Sequence, residues 1–178
     1  MKIGIIGIGM LGEAVALNLL NLGHDVVVYN RTKVKTIKVK EKGAKVSDSP
    51  KIVADNSELI LIIVKDAIAV REVSFGEEGI IKSKNKELVV ADMSTIDSIE
   101  SKKIAEEFQQ NNIEKLEIPV MGGPNVAIMG KLVMMASGSK TIFDKYKIIF
   151  EKVANKVFFL GEQGVANSIK LAMNLQIT

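Results

Sequence analysis

The feature that most constrains this chain is a glycine run, Gly7-Ile8-Gly9-Met10-Leu11-Gly12. It directly follows the apolar stretch from Lys2 to Gly7 and directly precedes Leu11, Val15, Leu19 and Leu22, which recur at helical spacing. A strand that turns at once into a helix needs backbone freedom at the turn. Gly7 allows the tight turn, Gly9 lets backbone approach a pyrophosphate, and Gly12 allows close packing of helix on sheet. The helix start supplies amide donors and the positive end of the helix dipole. In this setting the motif predicts dinucleotide binding through Gly7, Gly9, Met10, Leu11 and Gly12; the alternative is a purely structural glycine turn.

Beyond the motif, short β-rich runs keep alternating with helical patterns, the signature of βαβ units and a mostly parallel sheet. Lys2 to Gly7, Asp25 to Tyr29, Leu59 to Val64 and Leu88 to Ala91 read as strands, with Ile113 to Ile118 as an edge strand. Gly23 ends the first helix as a C-terminal cap. Asp97 and Glu100 stand at the spacing of a capping box before the stripe of Ile104, Ala105 and Phe108. A second block begins near Pro119, with a Gly-rich loop, a strand at Leu132 to Ala136, a helix carrying Ile142, Phe143, Tyr146, Ile149 and Phe150 on one side, and a strand at Lys156 to Leu160. The expected fold is α/β and Rossmann-like, ending in the start of a long C-terminal helix.

Composition narrows the chemistry. Cysteine is absent, which removes thiolate metal sites and cysteine nucleophiles, and His24 is the one histidine. It follows Gly23 in a helix-to-strand turn, where a structural role is expected, so proton transfer falls to Lys, Asp, Glu or Tyr and no metal site is expected. A net charge of +3 invites a nucleic-acid reading, but the lysines are interleaved with glutamates and aromatics make up 4% with no Trp. That pattern is a solvated face, not a nucleic-acid platform. No apolar run reaches the roughly 18 residues of a membrane span, and the opening residues are too short and glycine-rich for a signal peptide. A cytoplasmic location is the expectation.

The second strand ends at Asn30-Arg31-Thr32, the distance at which an acid would hold the ribose hydroxyls of NAD. No acid stands there. Asn30 avoids repelling a 2′-phosphate, Arg31 can pair with it and Thr32 can donate a hydrogen bond, which favours NADP with NAD as the alternative. Lys33, Lys35 and Lys38 add positive potential, each also readable as a solvated helix position. Asn18, unusual within a helix, is solvent-facing or packing-related.

Near the end, Gln163, Asn167, Lys170 and Asn174 fall within a narrow arc of a helix, with Ile169, Ala172, Met173 and Leu175 on other sides. Lys170 and Asn174, at i and i+4, can reach one small ligand, and apolar neighbours would lower the lysine pKa toward general acid/base use. The competing reading is a snorkelling surface lysine.

Four segments together resemble the β-hydroxyacid dehydrogenase family, which includes 3-hydroxyisobutyrate dehydrogenases and glyoxylate or succinic semialdehyde reductases. They are Gly4 to Gly12 continuing to Asn18-Leu19, Gly23-His24 and Asn30-Arg31-Thr32; Asp92-Met93-Ser94-Thr95-Ile96; Pro119-Val120-Met121-Gly122-Gly123 followed by Gly130-Lys131-Leu132; and Gly161 with Gly164, Lys170 and Asn174. The resemblance implies Lys170 as general acid/base, with Asn174 and Ser94 at the substrate. It also implies Gly122 and Gly123 presenting amides to a substrate carboxylate, and Val64, Lys65 and Thr95 lining the cofactor. Hydride transfer between nicotinamide and a small β-hydroxy acid, semialdehyde or keto acid would follow.

Two departures stand out. Met121 occupies the place where the family commonly has a Ser that contacts the carboxylate. Family members also continue into an all-helical C-terminal domain, whereas these residues end within the Lys170 helix. The expected division is therefore 1–162 as the NADP-binding domain and 163–178 as the start of an interdomain helix, the helical domain being absent. A non-catalytic NADP-binding module is the alternative function. Apolar Ile169, Leu171, Met173, Leu175 and Ile177 lie on more than one side of that helix, so a homo-oligomer held through it is expected.

Overall fold

Ile3, Ile5 and Ile6 are fully buried, as befits a strand covered on both faces by a parallel sheet's crossover helices. The structure, a computed structural model, describes residues 1–85 and 87–177; the Ile177 side chain and Thr178 lie outside the described residues. β1 (Lys2–Ile6) pairs in parallel with β2 (Asp25–Tyr29) on one side and β4 (Leu59–Ile62) on the other, with β3 (Lys45–Val46), β5 (Val89–Asp92) and β6 (Glu114–Glu117) completing a six-stranded sheet in the order β3-β2-β1-β4-β5-β6. All of these pairings are parallel. Strand order reverses between β1 and β4, and open sheets of this kind bind ligands outside the carboxyl ends of the strands at that switch point.

The two-residue period of the strands sorts the core into two layers. Ile3, Ile5, Val26, Val28, Leu59 and Leu61 join one apolar cluster with α1 (Met10–Asn21) and α7 (Lys140–Val153). Ile6, Val27, Ile60, Ile62 and Val90 join the other, against α3 (Pro50–Asp55), α4 (Ala67–Phe75) and α5 (Ser98–Gln110).

A smaller sheet continues beyond β6. In it β7 (Val120–Met121) runs antiparallel to β8 (Leu132–Ala136), which runs parallel to β9 (Ala154–Phe159). Glu117 and Ser137 exchange backbone hydrogen bonds of 3.1 and 2.9 Å, so the strand read as an edge is hooked to β8. The short α2 (Ile37–Glu41) follows β2, α6 (Pro124–Ala127) follows β7, and α8 (Val165–Ile177) closes the chain.

Local signals mostly act as their chemistry dictates. Gly23 has φ +80°, and the Gly23 and His24 amides donate to the Leu20 and Leu19 carbonyls at 2.9 and 3.1 Å, a Schellman closure of α1. Asp97 caps α5 by accepting from the Ile99 and Glu100 amides. Glu100 does not reach back to complete a capping box; its carboxylate takes a hydrogen bond from Arg71 at 3.2 Å, joining α5 to α4.

Of the two settings open to Asn18, the structure shows the packing one. Its side chain is buried and donates to the Lys152 carbonyl at 2.7 Å, tying α1 to the end of α7. Asn18→Ala leaves that carbonyl short of a partner, so a loss of about 1 to 3 kcal/mol is expected. Urea denaturation checks it, with the midpoint lowered and the slope unchanged.

Candidate functional site

The three motif glycines face three different surroundings. Gly7 has φ +103°, and a Cβ there would lie 2.1 Å from the Ile63 carbonyl oxygen. At Gly12 a Cβ would lie 1.9 Å from the Gly7 oxygen, whereas at Gly9 no heavy atom comes within 4 Å. The first and third glycines thus let the chain pack on itself, and the second leaves a space open. Gly9 caps α1 in extended conformation, and the first-turn amides of Met10, Leu11 and Gly12 have no carbonyl one turn back. An exposed glycine before donor-rich backbone is what a pyrophosphate requires.

Asn30 does more than avoid a phosphate. Its side-chain oxygen accepts from the Ile8 amide at 2.9 Å, and its amide group donates to the Thr32 carbonyl at 2.9 Å. It therefore fastens the glycine loop to the end of β2. Arg31 is exposed, with Nη1 3.9 Å from a Glu72 oxygen on α4.

A cavity of about 400 Å³ opens at the switch point. Among the residues expected at the cofactor, Gly7, Gly9, Asn30, Arg31, Thr32, Lys35, Val64 and Lys65 line it. Tyr29, Val73 and the carboxylate-bearing Glu72, Glu77 and Glu78 line it too. No motif marks them, because α4 and the segment after it reach the cavity only through the crossover from β4. A second cavity, of about 520 Å³, adjoins the first at Gly9 and lies between Met10 and the α6 residues Pro124 and Asn125. Leu11, Gly12 and Thr95 line neither.

Expected substrate contacts fall in two settings. Gly122 (φ +114°) and Gly123 are exposed; a Cβ on Gly122 would crowd Val126 and Leu132, while Gly123 has open space before it. Ser94 is buried. Its hydroxyl accepts from the Val64 amide at 3.1 Å and its own amide donates to Asp92 at 2.9 Å. This side chain holds two loops together, with half-buried Thr95 next to it.

The polar stripe of α8 divides. Asn167 is fully buried and Gln163 half-buried, both donating to Glu117, whereas Lys170 is half-exposed and Asn174 exposed. Burial lowers the Lys170 pKa from the ordinary lysine value, which favours a neutral amine able to take a proton. His24 stays in its turn, its pKa lowered first by burial and then by nearby positive charge. Sequence reasoning missed Glu117, which reads only as one residue of a strand. Among the described residues no group of three metal-ligating side chains is present and no helix is long and apolar enough to cross a membrane.

Known proteins share the sequence pattern and the fold. The chain is 34% identical over 182 residues to 2-hydroxy-3-oxopropionate reductase of Escherichia coli, covering 99% of this chain and 62% of that protein. It is 35% identical over 173 residues to the cytokine-like nuclear factor N-PAC of Drosophila melanogaster, covering 96% of this chain and 28% of that protein. Among solved structures, a 3-hydroxyisobutyrate dehydrogenase from Salmonella typhimurium superposes with a TM-score of 0.91 at 27% identity, covering 99% of this chain and 62% of the other. The chain thus spans about three fifths of the length of its dehydrogenase and reductase relatives. With residues 2–161 matching the NAD binding domain of 6-phosphogluconate dehydrogenase, the chain belongs to that family of dinucleotide-binding domains, alongside the 3-hydroxyisobutyrate dehydrogenases and semialdehyde reductases.

Proposed function

We propose that this chain carries the NADP(H) site and the proton-transfer lysine of an oxidoreductase acting on a small β-hydroxy acid, semialdehyde or keto acid. The observation that carries the reading is Gly9, open in front, between two glycines whose Cβ positions are filled by backbone. The cradle fits a dinucleotide: Gly9 and the first-turn amides of α1 would hold the pyrophosphate, and Arg31, Thr32 and Lys35 a 2′-phosphate. When bound, the nicotinamide supplies the hydride donor or acceptor.

The chain's own residues do the rest. Lys170 takes the hydroxyl proton on oxidation or returns one on reduction, and its lowered pKa suits both. Asn174, one turn further on, orients the substrate. Gly122 and Gly123 offer backbone amides to its carboxylate, donors fixed before the substrate arrives. Ser94 acts from beneath, holding the Val64 backbone at the cofactor cavity, and Thr95 lies beside it. Following NADPH oxidation with a panel of small keto and semialdehyde acids tests the reading. Turnover of at least one supports it, and tight cofactor binding without turnover of any speaks against it.

That second outcome fits the alternative, a non-catalytic NADP-binding module; one relative of the chain bears the name of a nuclear factor and not of an oxidoreductase. The cytoplasm remains the proposed location. Association through α8 belongs to the proposal as well, since Ile169, Leu171 and Leu175 are exposed there. Sedimentation is expected to show a dimer or larger species, and a monomer at high concentration would count against it.

Cofactor choice rests on Arg31. Its contact with Glu72 is long and exposed on both sides, a kind of pair that adds little, so the guanidinium is available to a phosphate. Arg31→Ala is expected to weaken NADPH by about 1.5 to 3 kcal/mol while leaving NADH nearly unchanged, as read by calorimetric titration.

A further inference from the structure

Beneath the first turn of α8 lies a buried carboxylate that no motif marks. Glu117, at the end of β6, has no exposed surface. Its Oε1 accepts from the Ser137 hydroxyl at 2.5 Å, the Gly164 amide at 2.9 Å and the Asn167 amide at 3.2 Å. Its Oε2 accepts from the Ser101 hydroxyl at 2.6 Å, the Asn167 side chain at 3.0 Å and Gln163 at 3.3 Å. Amides at the start of α8 are therefore satisfied by a carboxylate reaching up from the sheet, where the helix dipole also favours a negative charge.

The same cluster reaches the other loop of the candidate site. Asn167 accepts from the Ile96 amide at 3.2 Å, which pins α8 to the segment carrying Ser94 and Thr95. Behind Glu117, the fully buried Lys115 donates to Ser101 at 3.3 Å and stands 3.7 Å from Asp92, whose other oxygen accepts from the Ser94 amide. The segment that carries Ser94 and Thr95 and the helix that carries Lys170 and Asn174 thus hang from one buried polar cluster. Such a cluster is a costly way to stabilise a core, because apolar packing of similar volume serves as well or better. What it offers is directional bonds that admit one placement of the helix.

The geometry points to Glu117 as the positioning residue for Lys170: its carboxylate fixes the start of α8, and through Asn167 sets that helix against the Ser94–Ile96 segment. Lys170 follows Asn167 by three residues on the same helical stripe, so a shift at Asn167 is passed directly to it. Burial works to raise the Glu117 carboxyl, and the hydrogen bonds from Ser101, Ser137 and Asn167 outweigh it, holding the group below the usual glutamate range. Asp92, equally buried with fewer donors, is pushed up.

The consequence for turnover rests on Lys170 being the proton-transfer group; the placement of α8 does not. Glu117→Gln keeps the size, removes the charge and sets an amide group against the Gly164 and Asn167 donors. Hydrogen exchange read by NMR is expected to accelerate about ten- to a hundred-fold at the Gly164, Asn167 and Lys170 amides, the scale of bonds to a charged group. The Lys170 titration should move back toward free lysine as the helix is rehydrated, while NADPH affinity and protection in β1 and β4 stay within about two-fold. In the catalytic assay kcat should fall with KM for NADPH unchanged. Exchange that accelerates equally in β1, β4 and α8, or not at all in α8, would overturn the assignment. Should Glu117→Gln fail to fold, Asn167→Leu, which keeps the Ser101 and Ser137 contacts, is read by the same pattern. An unmodified protein without turnover would defeat the role given to Lys170, while the exchange pattern would still decide whether Glu117 places it.

Discussion

Gly9→Ala is expected to leave stability within about 0.5 kcal/mol of the unmodified protein while weakening NADPH binding at least about ten-fold. The two effects separate because a Cβ at Gly9 meets no protein atom within 4 Å and its φ of −86° is open to alanine. The new methyl instead occupies space that a pyrophosphate needs. Gly7→Ala and Gly12→Ala should behave oppositely. Their Cβ atoms would fall 2.1 and 1.9 Å from backbone oxygens, and backbone cannot move aside as a flexible side chain can, so a loss of about 3 kcal/mol or more is expected. Chemical denaturation and cofactor titration of the three variants check both halves. Equal destabilisation by all three would mean that Gly9 is a structural turn residue and nothing more.

Lys170→Ala is expected to lower turnover by about two to four orders of magnitude, the usual contribution of a positioned acid or base, with NADPH affinity unchanged. The side chain is half-exposed on α8, outside the cavity that Gly7, Gly9 and Arg31 line, so its loss leaves the cofactor's contacts intact. The pH dependence follows from the same residue. In the oxidative direction the neutral amine is the working form, so the rate rises with pH through the Lys170 pKa; because burial lowers that value, the rise should centre below the ordinary lysine value of about 10.4. The limb should vanish in Lys170→Ala. A variant that retains the full rate removes Lys170 from the chemistry.

The sequence made the nucleotide half more legible than the α8 half, for a physical reason. Gly7, Gly9 and Gly12 act through backbone conformation and local spacing, and both are written in consecutive residues. The apolar runs of β1, β2 and β4 carry the parallel sheet in the same way. By contrast, Glu72 meets the cavity across a crossover, and Glu117 meets Gly164 and Asn167 across 47 and 50 residues of chain. Nothing in the neighbourhood of either signals the contact. The stripe from Gln163 to Asn174 was readable as a stripe, yet helical spacing alone does not say that Asn167 turns into the fold while Lys170 stays half outside. Ser94 makes the same point: its place in the chain suggests a substrate contact, and only the packing shows its hydroxyl accepting from the Val64 amide 30 residues away.

The central claim, a working NADP(H) site at the Gly9 cradle, is tested most directly by titrating the unmodified protein with NADPH and NADH side by side, following nicotinamide fluorescence. Saturable one-to-one binding of NADPH, tighter than NADH by about ten-fold or more as a charge-assisted contact to a 2′-phosphate requires, is the expected result. No saturable binding of NADPH would contradict the claim outright, and equal affinity for the two cofactors would contradict the role assigned to Arg31.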